Sequence, residues 1–317
     1  VRFQHLLLAT DLSERSRAVC VYGAALAHRL GARLTVVHAD ELGALGPRGS
    51  EEIEDYLAWA RRVRDGGLGT LADELGAAGY PVTLAAAGEV GAGGEADDDA
   101  EERRLLVAPG RARDVVLAQA EALGADLIVM ARRSRDTLET HLLGSTTKRV
   151  LRDSSRPVLV VPAKAAPPTR TAPFGPILAP SDLGDASRDS VALALALGAE
   201  LAVDVHAVFV MDWPTAADLA PEAPNDLLGR AVRRIREQAV RDLGKQVGPL
   251  GVPTERQRVL TGASAAEAIE GLAEELGAAL LVLPVSDKGT LQRVFVGSTA
   301  SRLVKIARRP VLFLPRA

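Results

Sequence analysis

Aromatic side chains make up only 3% of the 317 residues, cysteine occurs once, and basic residues do not outnumber acidic ones, at 38 against 41. Each shortage excludes something. Few aromatics leave no supply of stacking platforms for single-stranded nucleic acid. A net charge of -3 is not the basic footprint of a nucleic-acid-binding protein. The lone cysteine, Cys20, rules out an internal disulfide and any cysteine-rich zinc or iron–sulfur site. Apolar runs such as Val191–Ala199 stop well short of the ~18 residues that a spanning helix needs. The opening VRFQHLLLATD has an apolar stretch too short for a signal peptide. No nucleic acid, no membrane insertion and a reducing cytoplasmic location are therefore expected.

What is present is an average globular composition, 47% hydrophobic and 25% charged, so the core is built from Ala, Val, Leu and Ile. The length suggests two domains, and an internal repeat supports this. HLLLATDLSERSR from His5 is answered by GPILAPSDLGDASRDS from Gly175, and LTVVHA ending at Ala39 by VDVHAV ending at Val208. ALGADLIVMA ending at Ala131 is answered by ELGAALLVLP ending at Pro284, and HLLGSTTKRVLRDSSRPVLVVP by VFVGSTASRLVKIARRPVLFLP. Landmarks are offset by 171 at Asp11/Asp182, 168 at His38/His206 and 153 at Gly144/Gly297. Their collinear order marks a tandem duplication, with a first domain over residues 1–163, a Pro-rich linker over 164–174 and a second domain over 175–317.

Short apolar runs alternate with longer amphipathic segments in each copy. In the first copy the runs are residues 5–10, 33–39, 82–87, 126–131 and 157–162, without strict alternation, as in strands buried on both faces. Helices are predicted over Glu14–Leu30, Glu51–Ala78, Arg111–Leu123 and Ser145–Asp153. Alternating β and α implies two doubly wound α/β domains, each with a five-stranded parallel sheet. The first copy carries an extra acidic, Gly-rich stretch at about 89–103, placed after its third strand and expected to form a mobile loop. Asp97, Asp98 and Asp99 lack the alternating ligand spacing of a calcium loop.

In such a sheet the ligand crevice lies beyond the carboxyl ends of the strands where the winding reverses. Ala9-Thr10-Asp11 and the segment Met130–Ser145 converge there, the latter ending in Gly144-Ser145 at a helix start. Two readings stand side by side, an anion site on the free N–H groups and dipole of that terminus and plain helix capping.

A strand ending in Asp, a second ending in Val-Val-His, and a fourth leading into LLGSTTKRVLRDSSRPVLVVP, all occurring twice, resemble tandem universal stress protein domains over nearly the whole chain. The resemblance implies an adenine-nucleotide-binding α/β fold and, in the first copy, a site of Asp11, Val37, Met130, Ala131, Ser134, Gly144, Ser145 and Thr146. Asp11 would face the adenosine, with Met130, Gly144, Ser145 and Thr146 around the phosphates. ATP-binding members share a loop of pattern G-x2-G-x9-G-[ST], and here the first two glycines are replaced by Ala131 and Ser134 in the first copy and by Pro284 and Asp287 in the second. Proline removes a donor, and aspartate sets a negative charge where phosphate would lie. Arg132, Arg133 and Arg135 crowd the first loop with positive charge. ATP or AMP is therefore expected in the first domain only. The same Asp in both copies, one of them with a spoiled loop, favours a capping role for Asp11 and Asp182.

The five histidines show no pair at helical spacing and no HExxH, so no metal site is expected, and His38 and His206 are taken as satisfied residues at equivalent strand ends. No GxSxG elbow and no P-loop occur, so the protein is expected not to be an enzyme. The proline-bracketed runs 157–162 and 310–315 are expected to pair the two domains about a pseudo-twofold axis, as in a covalent dimer, and two chains are expected to be able to form a homodimer. Three functions are carried forward: a non-catalytic stress-response protein holding an adenine nucleotide in its first domain, a nucleotide-free interaction scaffold, and a slow nucleotide hydrolase.

Overall fold

The computed structural model describes residues 2–42, 51–85, 103–132, 143–168, 174–212, 225–262, 264–285 and 298–315. Two compact units divide the chain, Phe3–Ala172 and Pro173–Ala317. In the first, β1 (His5–Thr10), α1 (Glu14–Leu30), β2 (Arg33–Asp40), α2 (Glu51–Ala77), β3 (Thr83–Ala85) and β4 (Arg103–Pro109) are followed by α3 (Ala112–Ala122), β5 (Leu127–Ala131), α4 (Ser145–Asp153) and β6 (Val158–Val161). In the second, β7 (Ile177–Ser181), α5 (Asp185–Leu201), β8 (Val205–Asp212), α6 (Asn225–Val247) and β9 (Gln257–Gly262) lead to α7 (Ala265–Glu275), β10 (Leu280–Pro284), α8 (Ser298–Ile306) and β11 (Val311–Leu314).

Strand order is β3-β4-β2-β1-β5-β6 in the first unit and β9-β8-β7-β10-β11 in the second, parallel throughout. This is the predicted doubly wound α/β class. Its centre is β1, whose Leu6, Leu7 and Leu8 have no solvent exposure, because helices cover both faces of a parallel sheet. Each such leucine contributes about 1.5–3 kcal/mol by leaving water.

One strand assignment is corrected. The run at 82–87 does form a strand, over Thr83–Ala85, but at the outer edge of the sheet rather than beside β2. The place beside β2 belongs to Arg103–Pro109, in register from Leu34↔Arg103 to Asp40↔Pro109. RRLLVAP carries the longer apolar stretch and is followed directly by Gly110, while β9 closes on Gly262. Among the described residues the first unit thus has six strands instead of five. The extra acidic stretch precedes its inner strand instead of following it, and residues 89–102 of that stretch lie outside the described residues.

Helix ends follow local chemistry. Ser13 caps α1 by accepting from the Ser16 amide, Glu14 sits in the first turn, and Gly31 closes the helix at φ 61 with its N–H on the Ala27 and His28 carbonyls. The equivalent closing residue of α5 is Ala202, held at φ 55 in the same left-handed conformation. A Cβ there costs about 1 kcal/mol. Ala202→Gly, the residue the first copy already uses, is expected to stabilise the second unit by about 0.5–1 kcal/mol, read as a higher urea midpoint for its transition.

Candidate functional site

At the end of β1 the chain passes from strand to helix within three residues. Leu12 does this at φ 63, and Leu183 repeats it at φ 65 after β7. Both turns are held by the same bonds. The Thr10 hydroxyl accepts from the Leu12 amide at 3.0 Å and pairs with Ser16 Oγ at 2.9 Å, while Ser181 serves Leu183 at 2.9 Å and Ser187 at 3.0 Å. Asp11 Oδ1 accepts from the Ser13 amide at 3.1 Å and its hydroxyl at 2.7 Å, and Asp182 Oδ1 accepts from the Gly184 amide at 3.1 Å. The capping residues are Ser13 and Gly184, so each aspartate steadies the turn from two residues before the cap. Helices α2 and α6 then lock the turns differently. In the first unit Arg17, paired with Glu74 at 3.0 Å, donates to the Leu12 carbonyl at 2.8 Å; in the second Gln246 donates to the Gly184 carbonyl at 2.9 Å. The buried hydroxyl pairs Thr10–Ser16 and Ser181–Ser187 escaped the sequence reading, although the repeat TDLSERS/SDLGDAS displays them.

The winding of the first sheet reverses between β1 and β5, where the crevice was predicted. Register sets Ala9 between Val37 of β2 and Met130 of β5, with both larger side chains buried. Ala131, the last residue of β5, is buried, and its carbonyl accepts from the Thr147 hydroxyl at 3.0 Å. Gly144 donates its N–H to the Arg132 carbonyl at 2.9 Å, closing the excursion that leaves β5, so that amide is already committed. Beyond it Ser145 is exposed and Thr146 half-buried at the start of α4. Gly144 provides no side-chain cap and no acid stands in the first turn, so among the described residues no side chain offsets the positive end of the helix. Asp11, Val37, Met130, Ala131, Gly144, Ser145 and Thr146 thus stand at the carboxyl ends of adjacent strands or at the α4 start. Ser134, with Arg133 and Arg135, lies outside the described residues.

The second unit departs at this place. Pro180 stands where the first has Ala9, and Pro284 where it has Ala131. The β7–β10 ladder ends at Leu281↔Leu178, whereas β1–β5 runs on to Ala9↔Met130. Two residues without an N–H at the strand ends shorten the pairing. Asp287 is outside the described residues.

Each unit is a doubly wound parallel α/β module with a hydroxyl-held polar turn at the end of its first strand. The family model of the universal stress proteins matches residues 2–162 and 173–315, and the chain belongs to that family. A universal stress protein of Methanocaldococcus jannaschii is 29% identical over 140 residues, 44% of this chain and 81% of that protein. One from Thermus aquaticus is 30% identical over 164 residues, 50% of this chain and 98% of that protein. A solved universal stress protein structure from Archaeoglobus fulgidus shares the fold over 100% of both chains, with TM-score 0.62 and 18% identity.

The histidine pair inferred from the repeat is corrected by the register. Thr10 pairs with His38, whereas its counterpart Ser181 pairs with Phe209; His206 pairs with Leu178, near the start of β8. The sheet sets the offset at 171, and the apparent 168 came from sliding one short apolar run three residues along another. His38 is satisfied, its Nδ1–H donating to the Thr10 carbonyl at 3.0 Å. His206 is not. Its Nδ1 is buried without a hydrogen-bond partner among the described residues, and burial, followed by Arg258 and Arg256, lowers its pKa below the usual 6.5. The unfolded chain therefore binds the proton first, and stability present above about pH 6.5 is lost as pH falls towards the lowered folded value. Urea denaturation at pH 7.5 and 5.5 is expected to show a lower midpoint at the acid pH for the second unit, and His206→Gln is expected to shrink that difference.

Proposed function

We propose that the protein is a stress-response regulator that holds an adenine nucleotide, ATP or AMP, in the crevice of its first unit and acts by binding rather than turnover. The observation that carries this is the α4 terminus, with no side-chain cap among the described residues and no acid in its first turn, set after β5 at the switch point beside β1. The Ser145 and Thr146 amides and hydroxyls would take the phosphates, and Ala9, Val37 and Met130 would give an apolar floor to the base. Pro180, Pro284 and the shortened ladder argue against a matching site in the second unit.

Binding without turnover is supported by what the reactive groups are doing. Burial pushes the Cys20 thiol up to about 12, so it stays protonated and inert at neutral pH. The Nδ1–H of His38 is committed to a backbone carbonyl. A second reading, the nucleotide-free scaffold, is favoured by one observation: Asp11 and Asp182 make the same turn bonds in both units, so their presence requires no ligand.

Calorimetric titration of the intact chain with ATP and AMP separates the two, with one site per chain expected. Gly144 has φ -58 and ψ 148, open to any residue, so Gly144→Asp places a capping carboxylate on the α4 amides without strain. That variant is expected to be more stable by about 0.3 kcal/mol and to bind ATP at least ~10-fold more weakly, about 1.4 kcal/mol. Unchanged affinity would move the site elsewhere, and no binding by the parent chain would leave the scaffold. A multiple-turnover phosphate-release assay is expected to show no hydrolysis.

A further inference from the structure

Two of the chain's few aromatic side chains lie on the surface of one helix. The carboxyl half of α2 packs inward through Leu68, Leu71 and Leu75, but its amino half is exposed, and Ile53, Tyr56, Trp59 and Val63 there are 39%, 52%, 52% and 56% accessible. With 3.6 residues per turn these four form one apolar stripe, and the Tyr56 and Trp59 rings stack at 5.7 Å between centroids. One flank of the stripe faces the protein: Leu57 and Arg64 are half-buried there, with Arg64 bonded to Asp40 at 2.6 Å. The other flank faces solvent and carries Asp55 and Arg62, two turns apart, exposed and without an ion pair among the described residues.

This surface is complementary to itself. If a second α2 is laid antiparallel on the stripe, like flanks meet, Asp55 comes opposite Arg62 of the second copy, and Arg62 opposite its Asp55. The twofold axis then falls between Ala58 and Trp59, which brings Ile53 beside Val63 of the second copy and the aromatic pairs together at the centre. Aromatic anchors at the centre of a patch with charges at its rim is the usual anatomy of an interface. Helix α6 of the second unit is the internal contrast. Its exposed half offers Ile235 and Val240 without an aromatic, and Arg230, Arg233, Arg234 and Arg236 against Glu237 leave it an excess of positive charge, which disfavours a second copy.

We infer that the exposed face of α2 is a docking surface for a second copy of this chain, closed as an antiparallel α2–α2 pair by reciprocal Asp55–Arg62 contacts. Sedimentation equilibrium of the full chain from micromolar to millimolar concentration is expected to show a monomer–dimer equilibrium weakened by salt. In a Trp213→Phe background, Trp59 emission should shift to the blue as the dimer forms. Trp59→Ser is expected to weaken dimerisation about thirtyfold or more. Asp55→Arg and Arg62→Asp are each expected to be monomeric, to dimerise when mixed with each other, and to recover self-association when combined in one chain. Asp55, Trp59 and Arg62 are solvent-exposed, and circular dichroism is expected to stay unchanged on their substitution. A parent chain that stays monomeric at millimolar concentration overturns the inference. So does a dimer indifferent to Trp59→Ser, or charge variants that fail to pair on mixing, the result expected if another protein or a membrane were the occupant.

Discussion

The passage from strand to helix at the carboxyl end of the central strand is the constraint on which each unit is built. Three residues must turn an extended, fully buried chain into a helix that runs back over the sheet, and a leucine at positive φ achieves it at a cost of roughly 1–2 kcal/mol. Buried hydroxyls, an aspartate and a capping residue offset that strain with short local bonds, and they do so identically in outline after β1 and after β7. Because the turn fixes where β1 ends, it also fixes which residues reach the crevice.

Most of the fold was legible because its signals are local and occur twice. Apolar runs marked β1, β2, β5 and β6, and the helices appear within a residue of their expected bounds. The failures came where a local signal had to be placed in a non-local order. Residues 82–87 look like the inner strand, yet RRLLVAP outcompetes them for the place beside β2, since a seven-residue ladder gains more than a three-residue one. The His38/His206 match failed for a related reason: apolar runs without alternation slide on one another freely, and only hydrogen-bonded register decides the offset.

For the candidate site, the sequence supplied the residues but not their commitments. The resemblance set Gly144 beside the phosphates, whereas the structure spends the Gly144 N–H on the Arg132 carbonyl. The sequence offered capping and ligand roles for Asp11; the cap proves to be Ser13, and Asp11 braces it by accepting from the Ser13 amide and hydroxyl. The divergence of the two units was readable in Pro284 and Asp287; that Pro180 acts with Pro284 became visible only through the shortened ladder.

The parallel sense of β3 and β4 makes the intervening stretch a return path. Chain leaving Ala85 must regain the opposite end of the pair to enter at Arg103, so the interval has a geometric minimum of about ten residues and no maximum. It is a place where the polypeptide can grow, or accept foreign sequence, without disturbing any register behind it. Trimmed below that minimum, β3 would detach and hand the sheet margin back to β4, leaving this half with the five-stranded outline of the other.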